Sequence, residues 1–294
     1  MNKSTAHANP SDERNVMLEL TESYNRIRKS IVAICIRDSS GGLTRNADPT
    51  KLPEIIGTGF IVRSDGLIAT NDHVVKAAID HIDKGHKVGA IILAELSFGI
   101  TALVVGVMGC TLLKESPIRD AFQDGTFVPD LGFLRVSFRN LPIVTLNEDT
   151  SLIEEGTEVA TSGFPFGAKF SMLNKSVGPV LQKGIVSSVF PFKGSALHGF
   201  AINVMNHPGS SGSPVFLPSS SSVIGILYGG LNIASNFSFV VPARYIVACL
   251  SLDLSQVGVE PFDESVQDFL VYMQEVEKRE RPIYEEALRA SRQK

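Results

Sequence analysis

The chain has 294 residues, with 27 basic and 31 acidic side chains, a net charge of -4 and no tryptophan. At 44% hydrophobic and 20% charged residues it can bury a sizeable core in one large or two modest domains, which excludes a disordered chain. So even a charge balance gives no strongly positive field, and neither nucleic acid nor an anionic membrane is expected as a partner.

Met1 to Asn15 is polar, carries Asp12, Glu13 and Arg14, and lacks the apolar run of a secretory signal, so it reads as a flexible leader on a cytoplasmic protein. Met17, Leu20, Tyr24 and Ile27 follow at near-helical spacing and predict a short amphipathic helix packed on the flank of a domain. From Ile31 onward, β-rich runs alternate with Gly, Pro, Asn and Ser: Ile31 to Ile36, Gly59 to Val62, Leu67 to Thr70, Val88 to Leu93, Ala102 to Val107 and Leu131 to Val136. The series continues with Glu158 to Ser162, Gly184 to Val189, Phe200 to Val204, Pro214 to Leu217, Val223 to Tyr228 and Phe237 to Val241. About a dozen short strands in this pattern predict antiparallel barrels or sandwiches, not βαβ units.

Leu96 to Leu113 is uncharged and about as long as a membrane span, but Gly99, Gly106 and Gly109 among Thr101, Val104, Val105, Val107 and Thr111 suit buried β-structure better than a helix. The serines Ser219 to Ser222 between two strands predict a hairpin tip. From Pro261 the pattern turns helical: Val266, Phe269, Met273 and Val276 share one face, Asp263 is a candidate N-cap, and Pro282 is expected to interrupt the helix before a second piece from Ile283 to about Ala290. The alternating charges Glu277, Lys278, Arg279, Glu280 and Arg281 read as a solvated face. Cys35, Cys110 and Cys249 are too scattered for a disulfide framework or a thiolate metal site, and no metal or cofactor is implied.

Three segments carry chemistry. His73 follows the strand Leu67 to Thr70 at a strand-to-loop junction, where a neutral imidazole can sit on the floor of a cleft and accept a proton. Asp130 heads the apolar run Leu131 to Val136, where a carboxylate can orient such a ring. Between Asn206 and Pro214, a glycine-flanked turn exposes a serine hydroxyl and can aim the backbone N–H groups of Gly209 and Ser211 into one concavity. Each segment alone suits an ordinary turn or a structural histidine. The three occur in the order His, Asp, Ser within an all-β region.

With these motifs the chain resembles the chymotrypsin-like serine proteases, and among them the HtrA/Deg type. The resemblance rests on Gly57-Thr58-Gly59-Phe60-Ile61-Val62, Asp65 to Val75, Asp130-Leu131-Gly132-Phe133-Leu134 and Pro208-Gly209-Ser210-Ser211-Gly212-Ser213-Pro214. Echoes are Gly163-Phe164-Pro165-Phe166-Gly167, Gly184 to Ser188, Val223 to Ile226 and Phe239 to Pro242. It covers roughly Ile31 to Leu250. It implies an all-β fold of two six-stranded antiparallel β-barrels, with a leader and short helix over 1–28, the protease domain over 29–255 and C-terminal helices over 256–294. It also implies a serine endopeptidase in which Ser211 is the nucleophile, His73 the general base and then acid, and Asp130 the orienting carboxylate. Asp120 and Asp124 are the fallback acids, and Gly209 and Ser211 supply the oxyanion N–H groups.

In that family the residue six before the nucleophile lines the base of the pocket for the side chain preceding the cut. Met205 holds that place, and an apolar base predicts cleavage after small or medium apolar residues, since a buried Lys or Arg would find no counter-charge there. Ile226, Leu227 and Tyr228 are expected to pair with the substrate backbone as an added strand. The expected partners are a protein or peptide substrate and a regulatory protein docking on the C-terminal helices; self-association is compatible with the resemblance. Gating is expected at the loops Lys114 to Val128 and Phe190 to His198.

Two residues depart from the family pattern. Ser213 replaces a usual glycine and is expected to crowd the turn, and Asp72 replaces a usual small residue beside the histidine. No PDZ domain fits the residues after Leu250. The alternative is a binding or scaffold protein on the protease fold, favoured by those two departures alone; an esterase with the same triad is a third reading.

Overall fold

Ile31 to Ile36 has no polar residue because both faces of its strand are buried. Ile31, Ala33 and Cys35 point into a cluster shared with the second half of the chain, whereas Val32 and Ile34 point into a separate one. The computed structural model describes residues 10–37, 53–112, 129–165, 178–190, 199–230, 236–252 and 266–292, with the side chains of 10–18 outside that set.

The first closed barrel is built from β1 (Ile31–Arg37), β2 (Glu54–Arg63), β3 (Leu67–Thr70), β4 (Lys87–Leu96), β5 (Gly99–Leu112) and β6 (Gly132–Val136), in the order β1-β2-β3-β6-β5-β4. The two-residue strand β7 (Phe138–Arg139) follows it. The second barrel contains β8 (Glu158–Gly163), β9 (Val180–Phe190), β10 (Gly199–Ile202), β11 (Pro214–Phe216), β12 (Val223–Gly230) and β13 (Ser238–Pro242), in the order β10-β13-β12-β11-β8-β9. All neighbours within the barrels are antiparallel, and each of the β-rich runs read from the sequence overlaps one barrel strand. The uncharged stretch from Leu96 is the β4–β5 hairpin and β5 itself. Among the described residues no helix is long and apolar enough to cross a membrane.

Phe60, Leu67, Ile91 and Phe133 from the first barrel pack with Ala160, Phe216, Ile226 and Val241 from the second in one continuous apolar cluster. This shared core fixes how the barrels meet.

Four helices are described. α1 (Pro10–Ile27) begins inside the stretch read as a flexible leader. Its Leu20, Tyr24 and Ile27 pack on the shared core, Ser23 Oγ donates to the carbonyl of Pro218 at the serine-rich β11–β12 tip, and Tyr24 OH donates to Pro179 O at 3.0 Å. α2 (Asp72–Asp83) follows β3 and buries Val74, Val75 and Ala78. α3 (Ala243–Leu250) follows β13 directly.

The C-terminal segment differs from expectation in several ways. A two-residue strand β14 (Gln267–Asp268) pairs in parallel with β7, and α4 (Phe269–Arg292) is one helix through Pro282, not two pieces. Pro282 and Lys278, whose carbonyl the proline cannot engage, are both exposed, so water can serve that oxygen. Asp268 caps the helix, its Oδ1 accepting from Leu270 N at 2.9 Å and Val271 N at 3.2 Å; Asp263 lies outside the described residues. The charged run is not only a solvated face, because Glu277 accepts from Ser97 N at 3.0 Å and pairs with Arg281 at 2.7 Å, and Arg281 reaches Ser97 Oγ at 2.8 Å. Phe98 stacks on Tyr284 beside them, so α4 docks on the β4–β5 turn of the first barrel.

Candidate active site

Thr70 ends β3, Asn71 holds an extended backbone, and α2 begins at Asp72, so His73 occupies the first turn of a helix. The N–H groups of that turn need acceptors from outside the helix. Asn71, at the N-cap, makes no side-chain cap bond. Asp130 fills the role: its Oδ1 accepts from His73 N at 3.1 Å and its Oδ2 sits 2.6 Å from His73 Nδ1. Asn71 Nδ2 donates to the Asp130 carbonyl at 2.8 Å.

One carboxylate therefore caps α2 and orients the imidazole. Because a carboxylate only accepts, Nδ1 carries the hydrogen, and in the neutral ring Nε2 then keeps its lone pair. Asp72, buried next door, faces Lys76, with Oδ2 3.1 Å from Nζ. Asp120 and Asp124 lie outside the described residues.

The serine turn lies between β10 and β11. Gly209 and Gly212 have φ of 94° and 89°, a backbone region that strains other residues. At Gly212 the space is closed as well, since a Cβ would stand 1.8 Å from Thr58 O.

Thr58 of β2 pins this turn to the first barrel. Its N donates to Ser211 O at 2.8 Å, and its Oγ1 donates to Gly209 O at 2.7 Å while accepting from Phe164 N at 3.0 Å. Ser210 N, Gly212 N and Ser213 N donate to His207 O, Leu227 O and Ser210 O. Among the described residues, the amides of Gly209 and Ser211 have no acceptor. Two adjacent free N–H groups beside a serine can receive a developing oxyanion.

Gly57 separates the two halves, as a Cβ there would lie 2.7 Å from Val74, next to His73, and 3.4 Å from Ser211 O. The structure thus joins His73 and Asp130 directly and brings Ser211 to the same strand. Among the described residues Ser211 Oγ makes no hydrogen bond, whereas the imidazole is held by Asp130.

The substrate-facing residues need correction. Ile226 and Leu227 are 0% and 1% exposed. Leu227 N donates to Ser213 O and its carbonyl accepts Gly212 N, while Ile226 is in register with Pro214 and Val241, so neither can receive an added strand. β11 and the serine turn occupy this edge of β12 only as far as Leu227, while β13 pairs with the other edge through Gly230, so among the described residues the accessible edge is that of the half-buried Tyr228, Gly229 and Gly230. Burial first, and the Asp130 charge second, raise the Tyr228 phenol above its ordinary pKa. Met205 is exposed, its backbone gripped by the Gln182 amide, with Nε2 to Met205 O at 3.2 Å and Met205 N to Oε1 at 3.1 Å.

Sequence reasoning missed Asn71 and Thr58. A signal for Thr58 was available, since it is the one polar side chain, flanked by two glycines, within an otherwise apolar run from Ile55 to Val62. Among the described residues no group of three or more His, Cys, Asp or Glu side chains is placed to hold a metal ion.

Comparison with known proteins finds similar sequences and a similar fold. A family profile described as trypsin-like peptidase domain matches residues 57–226. A Pseudomonas putida protein named probable periplasmic serine endoprotease DegP-like is 30% identical over 185 residues, covering 61% of this chain and 30% of its own length. A Drosophila willistoni protein named serine protease HTRA2, mitochondrial, is 23% identical over 239 residues, covering 81% of this chain and 47% of its own. The chain thus spans less than half the length of these relatives. The crystal structure of Deg5 matches in fold with a TM-score of 0.53 at 18% identity, covering 82% of this chain and 94% of that one.

These names overturn the expected cytoplasmic location, because the DegP-like relatives are named periplasmic. A polar opening segment was a weak basis for assigning a compartment. The matched family profile, the two barrels and the relatives together show that the chain belongs to the trypsin-like peptidase domain family, as an HtrA-type chymotrypsin-like serine protease domain.

Proposed function

We propose that the chain is a serine endopeptidase that cleaves proteins or peptides through an acyl-enzyme at Ser211. The observation that carries the reading is the 2.6 Å contact from His73 Nδ1 to Asp130, which leaves Nε2 free as a base, together with the unengaged amides of Gly209 and Ser211. Ser211 Oγ attacks the scissile carbonyl carbon as its proton passes to His73 Nε2. The carbonyl oxygen takes the negative charge, and the two amides receive it. The C–N bond then breaks, and the leaving amine takes the proton from His73. Water attacks the ester with His73 again as base, releasing the new carboxyl terminus and restoring Ser211.

The subsite preceding the cut suits a small or medium apolar side chain. Met205 is apolar, and the adjacent Asn206 lies against Gly230, its Nδ2 2.9 Å and its Cβ 3.1 Å from where a Gly230 Cβ would stand. Tyr228 of β12, Phe239 of β13 and Phe237 just before β13 form an aromatic cluster, supporting apolar substrate contacts. The periplasmic naming of relatives supports a site of action outside the cytoplasm. The exposed side of α4, with Leu270, Val271 and Ile283, supports docking of a regulatory protein.

The scaffold alternative is weakened because both departures that motivated it are accommodated, Asp72 by Lys76 and Ser213 by a hydrogen bond to Ser210 O. The test is intact-mass analysis after fluorophosphonate treatment, with casein digestion in parallel. One adduct, lost in Ser211→Ala and His73→Ala together with casein cleavage, is expected. A wild-type protein that is folded, unlabelled and inert towards casein would overturn the reading.

A further inference from the structure

Ser213 stands where the family pattern has glycine, and the structure gives its hydroxyl a specific role. The side chain is 2% exposed, its Oγ donates to Ser210 O at 2.6 Å, and its own N donates to the same carbonyl at 3.1 Å. The room for it comes from β8: a Cβ on Gly163 would stand 1.9 Å from Ser213 Oγ. Across the β8–β11 pairing, a glycine and a serine therefore share a space that could not hold two side chains.

The carbonyl that Ser213 grips belongs to the peptide unit whose N–H is that of Ser211. In a planar trans peptide, C=O and N–H point in opposite directions. Holding the Ser210 carbonyl with two donors therefore fixes where the Ser211 N–H points. The flanking carbonyls are fixed too, Gly209 O by Thr58 Oγ1 and Ser211 O by Thr58 N. The Ser210–Ser211 unit is the one secured from within the turn. Among the described residues the Ser213 hydroxyl has no other partner, so it serves this carbonyl alone.

We infer that Ser213 is a positioning residue that pre-orients the Ser211 amide towards the oxyanion, a role built from this chain's Ser213 and Gly163 together. The inference rests on the proposed acyl-enzyme reading. A donor fixed before reaction does not have to be reoriented as charge develops, so its benefit falls on the transition state and not on substrate binding.

The experiment compares wild type, Ser213→Ala and Ser213→Gly on a peptide anilide with an apolar residue before the cleaved bond. Competent sites are counted by fluorophosphonate titration, and inhibition by a matching peptide boronic acid is measured alongside. Both variants are expected to lose roughly fivefold in kcat per titrated site, about the worth of one neutral hydrogen bond. KM should stay within about twofold, and the boronic acid should weaken by the same factor as kcat, because only it forms the tetrahedral anion. A merely structural role would lower Tm or the fraction of titrated sites and leave kcat per site unchanged; that result, or a change in KM alone, overturns the inference. Wild-type protein that is neither labelled nor active removes the catalytic reading and this inference with it, whereas labelled wild type with unaltered variants removes only the latter.

Discussion

Replacing Thr58 with Val keeps the shape of the side chain and removes one oxygen, and the structure specifies what that oxygen does. Thr58 Oγ1 accepts from Phe164 N at 3.0 Å and donates to Gly209 O at 2.7 Å, with Thr58 itself fully buried. In the variant, an amide and a carbonyl remain in the interior without the partner they had. An unmet buried polar group costs about 1–3 kcal/mol, so the pair should cost roughly 2–6 kcal/mol, a large part of the ~5–15 kcal/mol that holds a typical domain together. Thr58→Ser, which keeps the hydroxyl and loses a methyl, should cost roughly 1 kcal/mol. Equilibrium urea unfolding of the three proteins reads these differences from the midpoint at constant slope. The oxygen also secures the carbonyl of Gly209, so fluorophosphonate labelling of Thr58→Val under native conditions should slow with the stability loss, while Thr58→Ser labels near the wild-type rate. A Thr58→Val midpoint within about 0.5 kcal/mol of wild type would mean that neither bond is formed as described, and the account of how the turn is held would fail.

Asp130→Asn should preserve the fold but present an amide to the imidazole, stabilising the wrong tautomer; labelling of Ser211 should fall by roughly 10³–10⁴, and a drop under tenfold would remove Asp130 from its assigned place. Acid should loosen α4 before it unfolds the barrels. Hydrogen bonds from Ser97, and then Arg281, hold Glu277 below the ordinary carboxylate range, and backbone N–H groups led by Val271 do the same for Asp268. Groups lowered in the folded state stabilise it above the ordinary carboxylate pKa and lose that contribution as pH falls through the lowered values, so hydrogen exchange in α4 should rise there, and equal protection of α4 at neutral and acid pH would contradict this. Burial pushes the Cys249 thiol up to about 12 and raises that of Cys110. Native protein at pH 8 should therefore resist alkylation at both and react fully once denatured, and rapid native labelling of Cys249 would show that α3 opens readily.

The strands were readable because β-branched runs between turn residues mark them locally, and residues buried on both faces, as in Ile31 to Ile36, carry the signal without alternation. The pair β7 and β14 had no such signal: each is two residues long and exists only because Phe138 meets Phe269 and Tyr272 of a distant helix. Pro282 argued for a break, and its exposed position removed the reason for one. At the site, the order of His73, Asp130 and Ser211 was visible, and so was the turn chemistry of Gly209 and Gly212. The part played by Thr58 was not, because its partners Gly209 and Phe164 are 151 and 106 residues away. Ile226 and Leu227 are taken because β11 and the serine turn occupy that edge of β12 as far as Leu227, and nothing in the composition of the strand announces where that pairing stops.

The apolar cluster shared by the barrels ties the appearance of chemistry to the completion of folding. His73 and Asp130 belong to the first barrel, Ser211 to the second, and Thr58 reaches across to the serine turn only when Phe60 and Phe133 have met Phe216 and Ile226. On the proposed reading, a chain with only one half formed would have a base without a nucleophile or a nucleophile without a base. On the same reading, such a chain should cleave neither its neighbours nor itself while it is still folding. Fragments split between Val136 and Glu158 should accordingly be inert apart and gain reactivity only on reassociation, which makes the domain a candidate reporter of proximity between two fused proteins.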